Sequence, residues 1–207
     1  MSEGTRTKIK LCGLTRPQDI AAANALLPDY IGFVFAEKSR RYLSPEQAAQ
    51  YKQQLDPRIT AVGVFVDEPP INIAQLLESG VIDAAQLHGH EDEAYITTLR
   101  NLTRKPLIQA FRIRTEADIQ LAMASTADEI LLDGGSGNGF RFNWDLLSAA
   151  TRSYFLAGGL SPENIAEAIR KLRPYAVDVS SGIETEGKKD ADKMFKFCEA
   201  VREAERV

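Results

Sequence analysis

The sequence is poor in the residue types that most often announce a mechanism. Cys12 and Cys198 are its only cysteines, and His88 and His90 its only histidines. Two thiols in unlike settings make no disulfide framework, so a reducing, cytoplasmic compartment is expected. Two histidines without further ligands at convincing spacing point to no metal. Nor is there an excess of one charge: 25 Lys and Arg stand against 29 Asp and Glu, a net charge of −4. That balance offers no basic face for nucleic acid. No apolar run approaches the length of a membrane span, and Met1–Thr7 lacks the apolar core of a signal peptide. What is present is ordinary for a soluble globular chain, 44% hydrophobic and 26% charged residues. A length of 207 residues suits a single domain over positions 1–207, at the low end for an eight-fold α/β barrel.

Short β-rich runs alternate with helical stretches throughout. The runs are Ile9–Cys12, Tyr30–Phe35, Ile59–Phe65, Ala84–Leu87, Pro106–Phe111, Glu129–Asp133, Tyr154–Ala157 and Tyr175–Val179. Many are nearly continuous in apolar residues, as parallel strands covered on both faces are. A helix is expected after each. Thr15-Arg16-Pro17, Ser44-Pro45-Glu46 and Ser161-Pro162-Glu163 read as helix starts, with Ser or Thr oxygens accepting from first-turn amides and proline at or near the first helical position. The last helix begins near Asp190. Eight such units in one domain-sized chain favour a closed (β/α)₈ barrel over an open sheet.

Barrels of this kind keep their chemistry at the C-terminal ends of the strands. Cys12 ends the first strand and Asp133 the sixth, a candidate base and a candidate acid. A lone cysteine is commonly a small buried hydrophobe, and a thiol serves as a base only as thiolate, so its site must lower its pKa or present the substrate proton at close range. A carboxylic acid that protonates a leaving oxygen needs a raised pKa, from burial or a neighbouring anion. Residues two apart on a strand share a face, which pairs Lys10 with Cys12, Gln86 with His88, Leu131 with Asp133 and Asp178 with Ser180. An inward Lys10 needs a partner, and Asp178 is the candidate. His88 reads first as a polar group at the rim and second as a ligand or base. Glycine-containing segments follow strands six, seven and eight, at Gly134–Gly139, Gly158-Gly159 and Ser181-Gly182. Loops after strands seven and eight are where such barrels hold phosphate. Arg41, in Lys38-Ser39-Arg40-Arg41-Tyr42, is either part of a solvated loop or a bidentate partner for a substrate carboxylate. Cys198 and Trp144 read as packing residues.

Taken together, Lys10-Leu11-Cys12-Gly13-Leu14-Thr15, Ser39-Arg40-Arg41-Tyr42, Gln86-Leu87-His88-Gly89, Leu131-Leu132-Asp133, Gly137-Asn138-Gly139 through Trp144, Ala157-Gly158-Gly159-Leu160 and Asp178-Val179-Ser180-Ser181-Gly182-Ile183-Glu184 resemble the phosphoribosylanthranilate isomerases of tryptophan biosynthesis. The resemblance covers nearly the whole chain. It implies a cofactor-free Amadori rearrangement with Asp133 as general acid and Cys12 as general base. It further implies Arg41 and Asp178 at the anthranilate end of the substrate, with Gln86 and His88 beside it. Phosphate is implied on the segments of Gly137, Gly139, Gly158, Gly159, Ser181 and Gly182. The sequence departs from the family pattern at Phe140 and Asn143, where lysine and aspartate are usual. The implied partner is a small phosphorylated substrate, and the chain is expected as a monomer or homodimer. The alternative is a non-catalytic barrel that binds a phosphorylated ligand, which would need neither Cys12 nor Asp133. The indole-forming synthase would call for a catalytic lysine with glutamates on a longer chain, and a dual-substrate isomerase would carry aspartates at both catalytic positions.

Overall fold

The computed structural model describes residues 6–135 and 144–206. Eight parallel strands close into a barrel in sequence order. They are β1 (Lys8–Cys12), β2 (Tyr30–Val34), β3 (Thr60–Phe65), β4 (Ala84–Leu87), β5 (Leu107–Arg112), β6 (Glu129–Asp133), β7 (Phe155–Ala157) and β8 (Ala176–Val179). Pairing of Lys8–Leu11 with Ala176–Val179 closes the ring and sets Lys10 opposite Asp178. The helices are α1 (Pro17–Leu26), α2 (Pro45–Gln54), α3 (Pro70–Glu78), α4 (Glu93–Arg100), α5 (Glu116–Met123), α6 (Ile165–Leu172) and α7 (Ala191–Ala204). Between β6 and β7 the described helical piece is a 3₁₀ segment, Trp144–Ala149, where a regular helix was expected. A second 3₁₀ turn, Ser181–Ile183, leads from β8 into the small hairpin β9 (Glu184–Thr185) and β10 (Lys188–Lys189).

The near-continuous apolar strands follow from burial on both faces. On β6, Ile130 and Leu132 pack outward against the helices, while Leu131 points into a separate inner cluster with Val62, Ile108 and Phe155. On β1, Ile9 and Leu11 belong to the outer layer. The alternation therefore turns Lys10 and Cys12 inward. Phe155 is fully buried, with its ring edge-on to Tyr30 and Tyr175 at centroid distances of 5.3 and 5.6 Å.

Two of the three expected helix caps differ from expectation. Ser44 caps α2 as expected, accepting from the Gln47 amide at 3.3 Å. At α1 the cap is not Thr15. Asp19 reaches back one turn, and one of its oxygens accepts from both the Thr15 and Arg16 amides at 3.0 Å. A carboxylate accepts two amides at once and favours the positive end of a helix, which a hydroxyl does less well. At α6 the stretch from Ser161 forms a turn first, and the helix starts at Ile165. Asn164 accepts from the Ser161 amide at 2.9 Å and donates to the Gly159 carbonyl at 2.8 Å, tying the helix start to the loop after β7.

Replacing Phe155 with alanine empties the centre of the inner cluster. Urea unfolding of Phe155→Ala is expected to show a loss of about 3–5 kcal/mol, the usual cost of a large aromatic-to-alanine cavity.

Candidate active site

A cavity of about 250 Å³ opens at the C-terminal end of the strands. Cys12, Arg41, Gln86, His88, Asp133 and Asp178 line it together with Gly158, Gly159 and Ser181. A larger hollow of about 460 Å³ beside α5 contains none of these residues. One cavity thus gathers candidates that lie up to 169 positions apart in the chain (Cys12 to Ser181).

Lys10 is 0% exposed. Its Nζ donates to Asp178 Oδ1 at 3.0 Å and to Gln86 Oε1 at 2.9 Å, so the expected partner is in place. Burial works against the ammonium, but Asp178 and Cys12 outweigh it and hold the Lys10 pKa above the usual lysine value. Cys12, two residues on, is buried. Burial pushes its thiol pKa up, and Lys10 and Lys189 offset only part of that rise. Of the two routes open to a cysteine base, a lowered pKa is therefore absent from the ligand-free site, and close presentation of the substrate proton is left. Space for the thiol comes from β2. Gly32 is paired in register with Cys12, and a Cβ added there would lie 2.5 Å from Cys12 Sγ.

Asp133 sits across the cavity. The Gly135 amide donates to its Oδ1 at 2.8 Å, and His88 Nε2 lies 3.5 Å from its Oδ2. Burial raises the Asp133 pKa, but His88, the Gly135 amide and Arg112 together hold it below the ordinary carboxylate value. Of the two sources of a raised pKa, burial or a neighbouring anion, burial is present but outweighed, because the amide and imidazole stabilise the anion. Gly158 explains how the β7 loop comes so near. Its φ is +98°, and a Cβ there would fall 2.7 Å from Asp133 Oδ1.

Arg41 is already engaged. Its Nε and Nη2 donate to the two oxygens of Glu184 at 2.6 and 3.0 Å, and Arg40 reaches the same carboxylate at 2.6 Å. Lys189, 6% exposed, donates to Glu184 at 2.8 Å and to the Ser180 carbonyl at 2.8 Å. Burial lowers the Lys189 pKa further than Glu184 restores it. Glu184 itself is held below the usual range, since Arg41 and Lys189 outweigh its burial. Glu184 and Lys189 are site-supporting residues that the sequence reading did not single out. The signal available was Glu184 at the end of the Asp178–Glu184 motif; Lys189 carried none. Among the described residues, the guanidinium nitrogens of Arg41 that donate a hydrogen bond are Nε and Nη2, both to Glu184.

Of the expected phosphate segments, Gly158, Gly159 and Ser181 reach the cavity. Gly182 lies in the 3₁₀ turn after β8 and packs against the Leu160 carbonyl. Gly137 and Gly139, with Phe140 and Asn143, lie outside the described residues. Trp144 packs against the outer core at the start of the 3₁₀ segment, and Cys198 is buried in α7.

The family model described as N-(5'-phosphoribosyl)anthranilate (PRA) isomerase matches residues 9–200. The chain belongs to this family. Among its relatives, the N-(5'-phosphoribosyl)anthranilate isomerase of Endomicrobium trichonymphae is 44% identical over 200 residues, spanning 94% of this chain and 98% of that one. The phosphoribosyl anthranilate isomerase of Thermotoga maritima superposes with a TM-score of 0.86 at 37% identity, covering 95% of this chain and 99% of that one. The same Thermotoga enzyme, which is dimeric, has also been solved as generated monomers. A further isomerase structure, TM-score 0.84 and 36% identical over 95% of this chain and 99% of that one, holds reduced 1-(o-carboxyphenylamino)-1-deoxyribulose 5-phosphate.

For this isomerase-family barrel, the raised thiol predicts slow chemistry without ligand. Alkylation of Cys12 by iodoacetamide, followed by mass spectrometry, is expected to be slow at neutral pH. It should climb about tenfold per pH unit until above about pH 9, as thiolate forms.

Proposed function

We propose that this cavity carries out the Amadori rearrangement of N-(5'-phosphoribosyl)anthranilate to carboxyphenylamino-deoxyribulose phosphate with Asp133 as general acid and Cys12 as general base, without a cofactor. The chain is an isomerase of tryptophan biosynthesis by family. The observation that carries the residue assignment is a thiol and a carboxylate, each on a different strand end, lining one cavity. A barrel that only binds a phosphorylated ligand has no need of both.

The steps follow from the chemistry of the groups. Asp133 gives a proton to the ribose ring oxygen, the C1–O bond breaks, and the anthranilate nitrogen's lone pair forms an iminium with C1. The C2 hydrogen, now next to a cationic carbon, is acidic. Cys12 as thiolate removes it, and the electron pair of the C2–H bond forms the enolamine. Tautomerisation to the ketone completes the isomerisation. Lys10 and Lys189 place positive charge near Cys12, which favours the thiolate against its burial. Arg41 and Asp178 are assigned to the anthranilate end, Gln86 and His88 to the wall beside it. The phosphate is assigned to the segments of Gly158, Gly159, Ser181 and Gly182, with Gly137 and Gly139.

The protein's own groups work against these roles, since burial pushes the Cys12 pKa up while His88, the Gly135 amide and Arg112 bring that of Asp133 down. The substrate's phosphate dianion would supply what Asp133 lacks, because an anion beside it raises its pKa; for Cys12 the positive charge of Lys10 and Lys189 works against burial. The chain is assigned to the cytoplasm, as one catalytic barrel over residues 1–207, working as a monomer or homodimer. Among the described residues, no helix is long and apolar enough to cross a membrane.

The deciding experiment is the fluorescence decay of freshly made phosphoribosyl anthranilate. The native protein is expected to consume it rapidly. Cys12→Ser and Asp133→Asn should each lose about 10²–10⁴-fold in kcat while remaining folded. Full activity in either variant would remove that residue from its role, and a native protein that binds phosphate without turnover would favour the binder. Glu184→Gln tests the support of Arg41: KM should rise several-fold with kcat nearly kept, since a neutral amide holds the guanidinium less firmly.

A further inference from the structure

A chain of polar side chains crosses the cavity from the Cys12 side to the Asp133 side. Lys10 Nζ donates to Gln86 Oε1 at 2.9 Å, Gln86 Nε2 lies 2.8 Å from His88 Nδ1, and His88 Nε2 lies 3.5 Å from Asp133 Oδ2. Each link fixes the direction of the next. An ammonium only donates, so the Gln86 oxygen must face Lys10. The amide nitrogen, which also only donates, is then turned to His88 Nδ1. That nitrogen must accept, and it carries no proton. The proton of the neutral ring is therefore on Nε2, toward Asp133. An imidazolium would need a second proton on Nδ1, against an amide N–H. Flipping Gln86 to relieve this would press its NH₂ against the Lys10 ammonium, where Lys10 is 0% and Gln86 1% exposed. Buried donors facing each other are costly.

We infer that Lys10 and Gln86 are positioning residues that hold His88 as a neutral imidazole with its Nε2–H directed at Asp133. The inference deepens the reading of Asp133 as the general acid and rests on it. A neutral donor orients the carboxyl group and still lets it take a proton. An imidazolium in the same place would form an ion pair with Asp133 and keep it ionised. Among the described residues, the charged and titratable groups around the pair include Arg112 at the end of β5, Lys10 and Cys12 on β1, Arg41 in the loop after β2 and Asp178 on β8. Arg112 already favours the anion, so a second cation would deepen the loss of the acid form.

With two histidines in the chain, ¹⁵N NMR of histidine-labelled protein shows only two rings. His90→Gln assigns them, since His90 is exposed and pairs with Asp67. The expected result is a His88 ring with its proton on Nε2 and none on Nδ1. A proton on Nδ1, or an imidazolium at neutral pH, overturns the inference. Gln86→Glu then supplies an acceptor at Nδ1. His88 should become an imidazolium at neutral pH, and Asp133, followed by ¹³C carboxyl NMR and assigned with Asp133→Asn, should titrate about one unit lower. That leaves about tenfold less of its acid form at neutral pH, and kcat/KM for the isomerase reaction should fall by a similar factor. An unchanged Asp133 titration beside an imidazolium also overturns it. If Gln86→Glu does not fold, His88→Gln serves instead. It offers a neutral N–H donor and should leave the Asp133 titration within a few tenths of native; a large upward shift would mean that the native ring acts as a cation. None of the NMR readings needs turnover. A native protein without activity but with the expected tautomer would therefore count against the isomerase reading and not against the wiring.

Discussion

A lysine ammonium with no solvent exposure stands at the centre of this barrel, and its charge must be matched by whatever surrounds it. Asp178 and Gln86 supply the match, from β8 and β4, through the two hydrogen bonds of Lys10 Nζ. Removing one partner of such a buried pair typically costs about 3–5 kcal/mol, because the other charge is left without compensation. The interaction closes the barrel electrostatically where β1 meets β8. It also sets the neighbourhood of Cys12, which shares its strand face with Lys10, and it turns Gln86 so that only one side of the amide is available to His88. Three positions of the cavity wall thus take their orientation from one buried charge.

Around that centre burial and neighbouring groups shift Cys12 and Asp133 in opposite directions. Burial pushes the Cys12 thiol pKa up, while His88, the Gly135 amide and Arg112 bring that of Asp133 down against its burial. On the proposed reading, a ligand brings an anion to Asp133 and a cationic carbon to Cys12. Acid–base competence is then tied, on that reading, to occupancy by a phosphorylated substrate. The strap from the β8 loop serves the same end mechanically. Glu184 grips Arg41 and Arg40 while Lys189 grips Glu184 and the Ser180 carbonyl, so the loop after β2 and the loop after β8 meet beside the cavity that Cys12 lines.

Much of the fold was legible in the chain. The eight strands lie within one or two residues of the runs read from the sequence, and the inward direction of Lys10, Cys12, Leu131 and Asp133 followed from counting by two. The partnership of Lys10 with Asp178 followed from the cost of an unpaired buried charge. Other features were not legible. Asp19 replaces Thr15 as the cap of α1 because its carboxylate reaches two amides at once. Ser161 gives way to Asn164 because a turn intervenes before α6, and the segment after β6 winds as a 3₁₀ piece where a regular helix was expected.

The sequence by itself determined the repeat of strand and helix, the closed barrel, the inward face of each strand and the family. All of these rest on local periodicity and on motifs in a fixed order. Only the tertiary structure decided that Glu184 takes one side of Arg41, 143 residues away. It also decided that Gly32 leaves room for the Cys12 thiol, that Lys189 is drawn inside, and that burial raises Cys12 while its neighbours lower Asp133. These depend on distances between strand ends and loops that are fixed when the ring closes. Hydrogen bonds and charge couplings act over a few ångströms, and spacing along the chain does not encode such distances.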